Sequence, residues 1–185
     1  MVEQRMNQEE PIKVVIMGME NAGKTTILDV LTDKIKETPH KPPSMNPTKG
    51  VERSTILFFQ KETKVWDLGG QEVYQNEYLA NPEKYFHTIS FFYYVVDIQD
   101  YYRLFSSEMY FRGIFNLIKK YSPDAKVVFL FHKTDPDYIP DERNLKSKFL
   151  EKIEPQLELT NTQYIMYDTT IFDRKSIKIA FGLES

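Results

Sequence analysis

Apolar residues recur along the chain in two rhythms, and the alternation between them sets the fold expectation. Short apolar runs rich in β-branched and aromatic residues read as strands: Ile12 to Met17, ended by Gly18, then Ile89 to Asp97, Lys126 to Phe131 and Gln163 to Tyr167. The run from Ile89 is apolar almost without interruption, as a strand covered on both faces requires. Elsewhere apolar residues return every third or fourth position. Thr25 to Lys36 carries Ile27, Leu28, Leu31 and Ile35 on one helical face, and Leu104 to Lys120 carries Phe111, Ile114, Phe115 and Ile118, with Pro123 marking its end. Asp141 to Leu157 repeats Leu145, Phe149 and Ile153, and Arg174 to Phe181 reads as a last helix. Val51 to Gln60 and Thr63 to Trp66 form one hairpin across a Lys61–Glu62 turn. Strands alternating with amphipathic helices predict an α/β fold with a mostly parallel sheet and helices on both faces.

One segment fits neither rhythm. Glu37 to Gly50 contains Pro39, Pro42, Pro43 and Pro47, which deny it regular hydrogen bonding and make it a loop. A loop this long inside a compact domain is usually functional. The aromatic cluster Phe91, Phe92, Tyr93 and Tyr94 has the chemistry of a base-stacking platform, but its place in a two-sided strand assigns it to the core.

Composition narrows the class. The 185 residues suit one domain, 41% are hydrophobic and 28% charged, and the net charge of −3 argues against a nucleic-acid binder. The chain has no cysteine, which excludes disulfides, thiolate metal sites, palmitoylation and prenylation. Residues Met1 to Pro11 are polar and charged, unlike a signal peptide, and lack the second-position glycine that myristoylation needs. The expectation is a cytoplasmic protein without a direct membrane anchor, with a polar lead over 1–11 and one folded domain over 12–185.

The chemistry lies where strands end. The first strand runs into Gly18-Met19-Glu20-Asn21-Ala22-Gly23-Lys24-Thr25, which fits G-x-x-x-x-G-K-[ST]. A glycine-bounded loop turns backbone N–H groups inward to cradle phosphate oxygens, and the helix behind it adds its positive end. Lys24 can bridge the β- and γ-phosphates and the Thr25 hydroxyl can ligate Mg²⁺, and Thr26 beside it is a further candidate nucleotide-binding residue. This establishes a nucleoside-phosphate site and leaves adenine and guanine open. His132-Lys133-Thr134-Asp135 bears on that choice, since the Asp135 carboxylate can accept from both guanine N1–H and the 2-amino group. The Lys133 stem can lie against the base while its ammonium turns towards the phosphate loop. In Trp66-Asp67-Leu68-Gly69-Gly70-Gln71-Glu72, Asp67 fits the carboxylate that holds Mg²⁺ through its water shell. Gly70 can offer an unobstructed N–H to the γ-phosphate, and Gln71 is placed to orient the attacking water.

From Ile12 to about Phe181 the chain resembles the Ras superfamily of small GTPases, and within it the Arf-like and Rag branches. Ala22-Gly23-Lys24-Thr25-Thr26, the acidic Glu20 and Trp66-Asp67-x-Gly69-Gly70-Gln71 are similar to Arf-like proteins. His132-Lys133-x-Asp135, Ser122-Pro123-Asp124-Ala125-Lys126 and Asp168-Thr169-Thr170-Ile171-Phe172-Asp173 are Rag-like. The resemblance implies a six-stranded P-loop GTPase fold with one antiparallel hairpin strand. It makes Thr169, Thr170 and Ile171 the last guanine loop, with a backbone N–H near Thr170 reaching guanine O6. It also makes Thr48, in Pro47-Thr48-Lys49-Gly50, the switch threonine that completes the Mg²⁺ shell in the GTP state. The chain departs from the family pattern at His132, where the superfamily usually has asparagine, and at Glu20, a carboxylate beside phosphates. No amphipathic N-terminal helix of the Arf-like kind is evident, and no Rag-like C-terminal dimerisation domain follows.

Three functions compete on these residues. A GTP/GDP switch with slow hydrolysis, using Gln71 and Lys24, would answer to effector, exchange-factor and GTPase-activating proteins, and to a second GTPase as a dimer partner. A module that holds the nucleotide without cycling is the alternative that Glu20 and Lys49 raise. A small-molecule kinase fits less well, because no arginine-rich lid segment is visible. The sequence offers Arg53 and Arg103 as arginines in cis but places neither at the phosphates.

Overall fold

The computed structural model describes residues 12–39, 41, 43, 46–58, 61–139 and 144–184. The expected lead over 1–11 lies outside them. Six strands form one sheet: β1 (Lys13–Gly18), β2 (Val51–Phe58), β3 (Lys61–Leu68), β4 (Phe91–Asp97), β5 (Lys126–His132) and β6 (Tyr164–Thr169). Their order is β2-β3-β1-β4-β5-β6, with β2 and β3 antiparallel and every other pair parallel. The fold class expected from the sequence is the one observed.

Side chains along a strand alternate between faces, and the central strands bury both. Val15 and Met17 of β1 with Phe92, Tyr94 and Val96 of β4 belong to one core; Val14 and Ile16 with Tyr93 and Val95 belong to the other. The first core is closed by α2 (Glu72–Ala80), α3 (Pro82–Phe86), α4 (Leu104–Tyr121) and α5 (Leu145–Leu159). The second is closed by α1 (Lys24–Leu31) and α6 (Arg174–Ala180). Tyr94 stacks on Phe149 with centroids 6.0 Å apart, meets Phe111 edge-on at 5.1 Å, and donates its hydroxyl to Ser107 O at 2.7 Å. Tyr93 stacks on Phe181 at 4.2 Å. The aromatic cluster of β4 is therefore core, with the polar tips of both tyrosines paired.

Several boundaries differ from the sequence expectation. Helix α1 stops at Leu31 rather than Lys36, because Asp33 turns left-handed (φ 54) and Ile35 N closes back on Asp29 O at 3.0 Å. Lys61 and Glu62 are not the hairpin turn: they pair with Phe58 and Leu57 as the start of β3, and the connection at 59–60 lies outside the described residues. Helix α5 starts at Leu145, capped by Asn144 Oδ1 accepting from Ser147 N at 3.2 Å; residues 141–143 are not described. Helices α2 and α3 had no counterpart in the sequence reading. Tyr78 is the one buried residue of α2, while Val73 and Leu79 are exposed, so the helix shows no apolar period. Among the described residues no helix is long and apolar enough to cross a membrane.

The topology fixes where a ligand sits. From β1 the sheet grows to β3 on one side and to β4 on the other, and the crevice beyond the carboxyl ends at such a reversal is where open α/β sheets bind ligands. Phe149→Ala would empty a fully buried site shared with Tyr94, Phe111 and Phe129. The expected loss is about 3–5 kcal/mol of unfolding free energy, read from urea denaturation.

Candidate functional site

A cleft of about 580 Å³ opens where the topology places it. Its phosphate-side wall is the loop after β1. Gly23 takes φ 99, and a Cβ there would lie 2.5 Å from Cδ2 of His132, so the glycine is required by both conformation and contact. Lys24 is buried and curls back to donate to Gly18 O at 3.0 Å and Met19 O at 2.8 Å. Burial lowers its ammonium to about 8, and the carboxylates of Asp67 and then Glu20 act the other way. Gly70 packs directly on this loop: a Cβ would sit 2.4 Å from Glu20 N and Met19 C. Room at Gly70 is thus dictated first by the loop backbone.

Thr25, Thr48 and Asp67 converge from three segments. The two hydroxyl oxygens are 2.7 Å apart, and they donate to Asp67 Oδ2 from 2.8 and 3.2 Å. Burial pushes the Asp67 carboxyl above its usual range, while Lys24 and the two hydroxyls pull it down. Its other oxygen, Oδ1, is buried without a hydrogen-bond partner. Hard oxygen donors with one carboxylate suit Mg²⁺, whose bonds of about 2.1 Å put neighbouring ligand oxygens about 2.9 Å apart. Thr25 and Thr48 meet that spacing, and the orphaned Oδ1 has the chemistry to accept from a metal-bound water. No cluster of three or more His, Cys, Asp or Glu competes as a metal site among the described residues.

At the other end, His132 is the last residue of β5 and Asp135 follows in the loop after it. The His132 ring lies on Gly23, and its Nδ1 is 2.9 Å from Thr169 Oγ1. Burial lowers the imidazole to about 3, the Lys133 charge adds to this and contact with Thr169 opposes it. Both Asp135 oxygens are engaged: Oδ1 accepts from Thr170 Oγ1 at 2.6 Å and Oδ2 from Gln99 Nε2 at 3.2 Å. Ile171 lines the cleft, whereas Thr169 and Thr170 stand behind it and act on His132 and Asp135. The Thr170 N–H points to Ser176 Oγ at 3.2 Å rather than into the cleft. Lys133 also differs from expectation. Its ammonium pairs with Asp97 Oδ2 at 2.5 Å instead of turning to the phosphate loop, because parallel pairing sets Asp97 beside His132.

Glu20, Asn21, Gly23, Lys24, Thr25, Thr26, Thr48, Gly70, Gln71, His132, Lys133 and Asp135 all line the cleft; Gly18 and Ala22 support its loop from behind. Gln71 donates from Nε2 to Glu20 Oε1 at 3.1 Å. The sequence reading missed Gln99, which braces Asp135, along with Pro43, Asn46 and Pro47 of the proline-rich loop. The polar run Asp97-Ile98-Gln99-Asp100 directly after β4 was the available signal, since it sits at the carboxyl edge between the two motifs. Of the two candidate arginines, Arg53 lies over the Trp66 ring at 4.1 Å, while Arg103 enters the cleft and donates to Glu20 O at 3.1 Å.

The geometry agrees with what the chain is similar to. The family model described as the Gtr1/RagA G protein conserved region matches residues 13–182. GTP-binding protein GTR1 of Saccharomyces cerevisiae is 25% identical over 176 residues, covering 94% of this chain and 56% of that protein. GTP-binding protein gtr1 of Schizosaccharomyces pombe is 29% identical over 171 residues, covering 86% and 53%. The chain therefore spans about half the length of the curated relatives it matches. The solved structure of the Arl6 BBS3 small GTPase from Trypanosoma brucei, with a bound nucleotide analogue GppNp, shares the fold at a TM-score of 0.70 and 19% identity, covering 93% of this chain and 94% of that one.

The buried imidazole has a measurable consequence. Its folded value near 3 lies below the ordinary 6.5, so between those values the unfolded chain binds more protons and stability rises with pH. His132 should therefore cost nothing at pH 7.5 and about 2 kcal/mol at pH 5. His132→Asn should flatten that part of the acid limb in urea titrations at the two pH values. Parallel limbs for the two proteins would contradict the assignment.

Proposed function

The chain belongs to the Gtr1/RagA G protein family, within the Rag- and Arf-like part of the Ras superfamily, and from that premise we propose that it is a cytoplasmic GTP-binding switch that hydrolyses GTP slowly to GDP. The observation that carries this reading is that one cleft joins a phosphate loop and its Thr25–Thr48–Asp67 oxygen cluster to a braced carboxylate, Asp135, at the far end. The Gly18–Thr25 loop and Lys24 would hold the phosphates. Thr25, Thr48 and, through water, Asp67 would hold Mg²⁺, which would neutralise charge on the β- and γ-phosphate oxygens. Asp135 would read guanine, His132 would keep the base and phosphate loops at a fixed separation, and Ile171 would close the base pocket. Gln71 would orient the attacking water.

The switch reading has a mechanical basis. Gly50 O, just after Thr48, accepts from both Gly69 N and Tyr78 Oη at 2.8 Å. A change at Thr48 on loss of the γ-phosphate would reach helix α2 through this shared carbonyl. We assign residues 12–185 to the GTPase domain. Effector, exchange-factor and GTPase-activating proteins, and a second GTPase as dimer partner, are the partner classes such a switch would need. The alternative, a module that holds nucleotide without cycling, rests on one observation: a carboxylate, Glu20, lines the phosphate end of the cleft. Phosphate release measured over multiple turnovers separates the two.

Base reading is tested by Asp135→Asn, which puts an amide N–H opposite a guanine donor. A buried mismatched pair costs roughly 1–3 kcal/mol, so GTP affinity should fall about tenfold or more while xanthosine triphosphate gains. Direct titration with both nucleotides checks this, and unchanged GTP affinity would remove Asp135 from the base site.

A further inference from the structure

Glu20 looks like a liability, an anion at the phosphate end of the cleft, yet both its backbone and its side chain have partners. Its backbone N lies against Gly70, its carbonyl accepts from Arg103 Nη1 at 3.1 Å, and Arg103 is tied in turn to Asp100 at 3.4 Å. Its carboxylate favours the charged form of Lys24. Among the described residues, its carboxylate accepts a side-chain hydrogen bond from the residue assigned to orient water: Gln71 Nε2 donates to Glu20 Oε1 at 3.1 Å.

We infer that Glu20 is a positioning residue for Gln71, fixing which end of the amide faces the attacking water. An ionised carboxylate only accepts, so the Gln71 amide must present its NH₂ to Glu20 and turn its carbonyl oxygen away from it. That oxygen is the end that accepts a hydrogen bond from water. Gln71 caps α2 in an extended conformation (φ −72, ψ 145), which anchors its backbone while Glu20 anchors its tip. An amide held at both ends loses the rotation that would otherwise present NH₂ to the water half of the time. In the reaction, the water oxygen bonds to the terminal phosphorus as the bond to the β-phosphate oxygen breaks. The water proton leaves with the phosphate, and neither Gln71 nor Glu20 changes protonation. This inference rests on the GTPase reading above.

The test is single-turnover hydrolysis of preloaded GTP–Mg²⁺ by wild type, Glu20→Ala, Glu20→Gln, Gln71→Leu and the Glu20→Ala/Gln71→Leu double variant. GDP affinity and thermal unfolding with GDP bound serve as folding controls. Glu20→Ala should slow hydrolysis about three- to tenfold, the worth of one hydrogen bond, without weakening nucleotide binding. Glu20→Gln keeps an accepting oxygen and should recover most of the rate. In the Gln71→Leu background, Glu20→Ala should have no further effect, because the group it positions is gone. An unchanged or faster Glu20→Ala overturns the inference, as does an equal loss in both backgrounds. A wild-type chain that never hydrolyses bound GTP overturns the GTPase reading itself, and the inference falls with it.

Discussion

The contact between the His132 ring and the Gly23 backbone is what turns two loops into one site. Gly23 belongs to the loop after β1 and His132 to the end of β5, with β4 between them in the sheet. The parallel pairing of β1 with β4 and of β4 with β5 sets the spacing of the strand ends, and the ring–backbone contact closes the gap between the loops that follow them. An imidazole does this without an asparagine amide. One ring nitrogen is occupied by Thr169, while the ring edge fills the space a Cβ at residue 23 would need. The price is a histidine kept neutral by burial, and the brace is therefore constant across the physiological range rather than pH-responsive.

The second constraint is the meeting of Thr25, Thr48 and Asp67. These residues come from α1, from the proline-rich loop and from β3, so the site closes only when that loop folds over the end of the sheet. Gly50 O, two residues beyond Thr48, collects Gly69 N and the buried Tyr78 hydroxyl. Burial raises the Tyr78 pKa further, so this hydroxyl remains a donor at any pH the protein meets. The loop that carries Thr48 and helix α2 are thereby joined through one carbonyl.

How much of this the sequence discloses depends on how local each signal is. The strands of the two-sided sheet are legible because Val14 to Met17 and Phe92 to Val96 must be apolar on both faces. The phosphate loop is legible because its glycines answer constraints within a few residues. Helix α2 is not, because Tyr78 is its sole buried residue and its apolar Val73 and Leu79 face outward. The hairpin turn lies earlier than the sequence suggests because Lys61 and Glu62 are exposed residues at the start of β3 whose polarity mimics a turn. The brace of Asp135 by Gln99, the Lys133–Asp97 pair and the entry of Arg103 into the cleft all link residues more than thirty positions apart. Such links follow from strand order, not from spacing, so no motif announces them. The resemblance makes Thr169 and Thr170 part of a guanine loop; their hydroxyls hydrogen-bond His132 and Asp135 and do not line the cleft, a relation no spacing announces.

The two ends of the cleft are built on opposite principles. At the base end polar groups are already satisfied: both Asp135 oxygens, the His132 nitrogen facing Thr169 and the Lys133 ammonium each have partners. Side chains already held by partners lose less freedom when a ligand binds. At the phosphate end the groups are held away from their preferred states. Lys24 is a buried cation with a lowered pKa, and Asp67 a buried carboxyl pushed upward with one oxygen orphaned. A phosphate–metal pair would relieve both at once, supplying negative charge to Lys24 and a donor to Asp67. Binding of such a pair would therefore add to the stability of the fold.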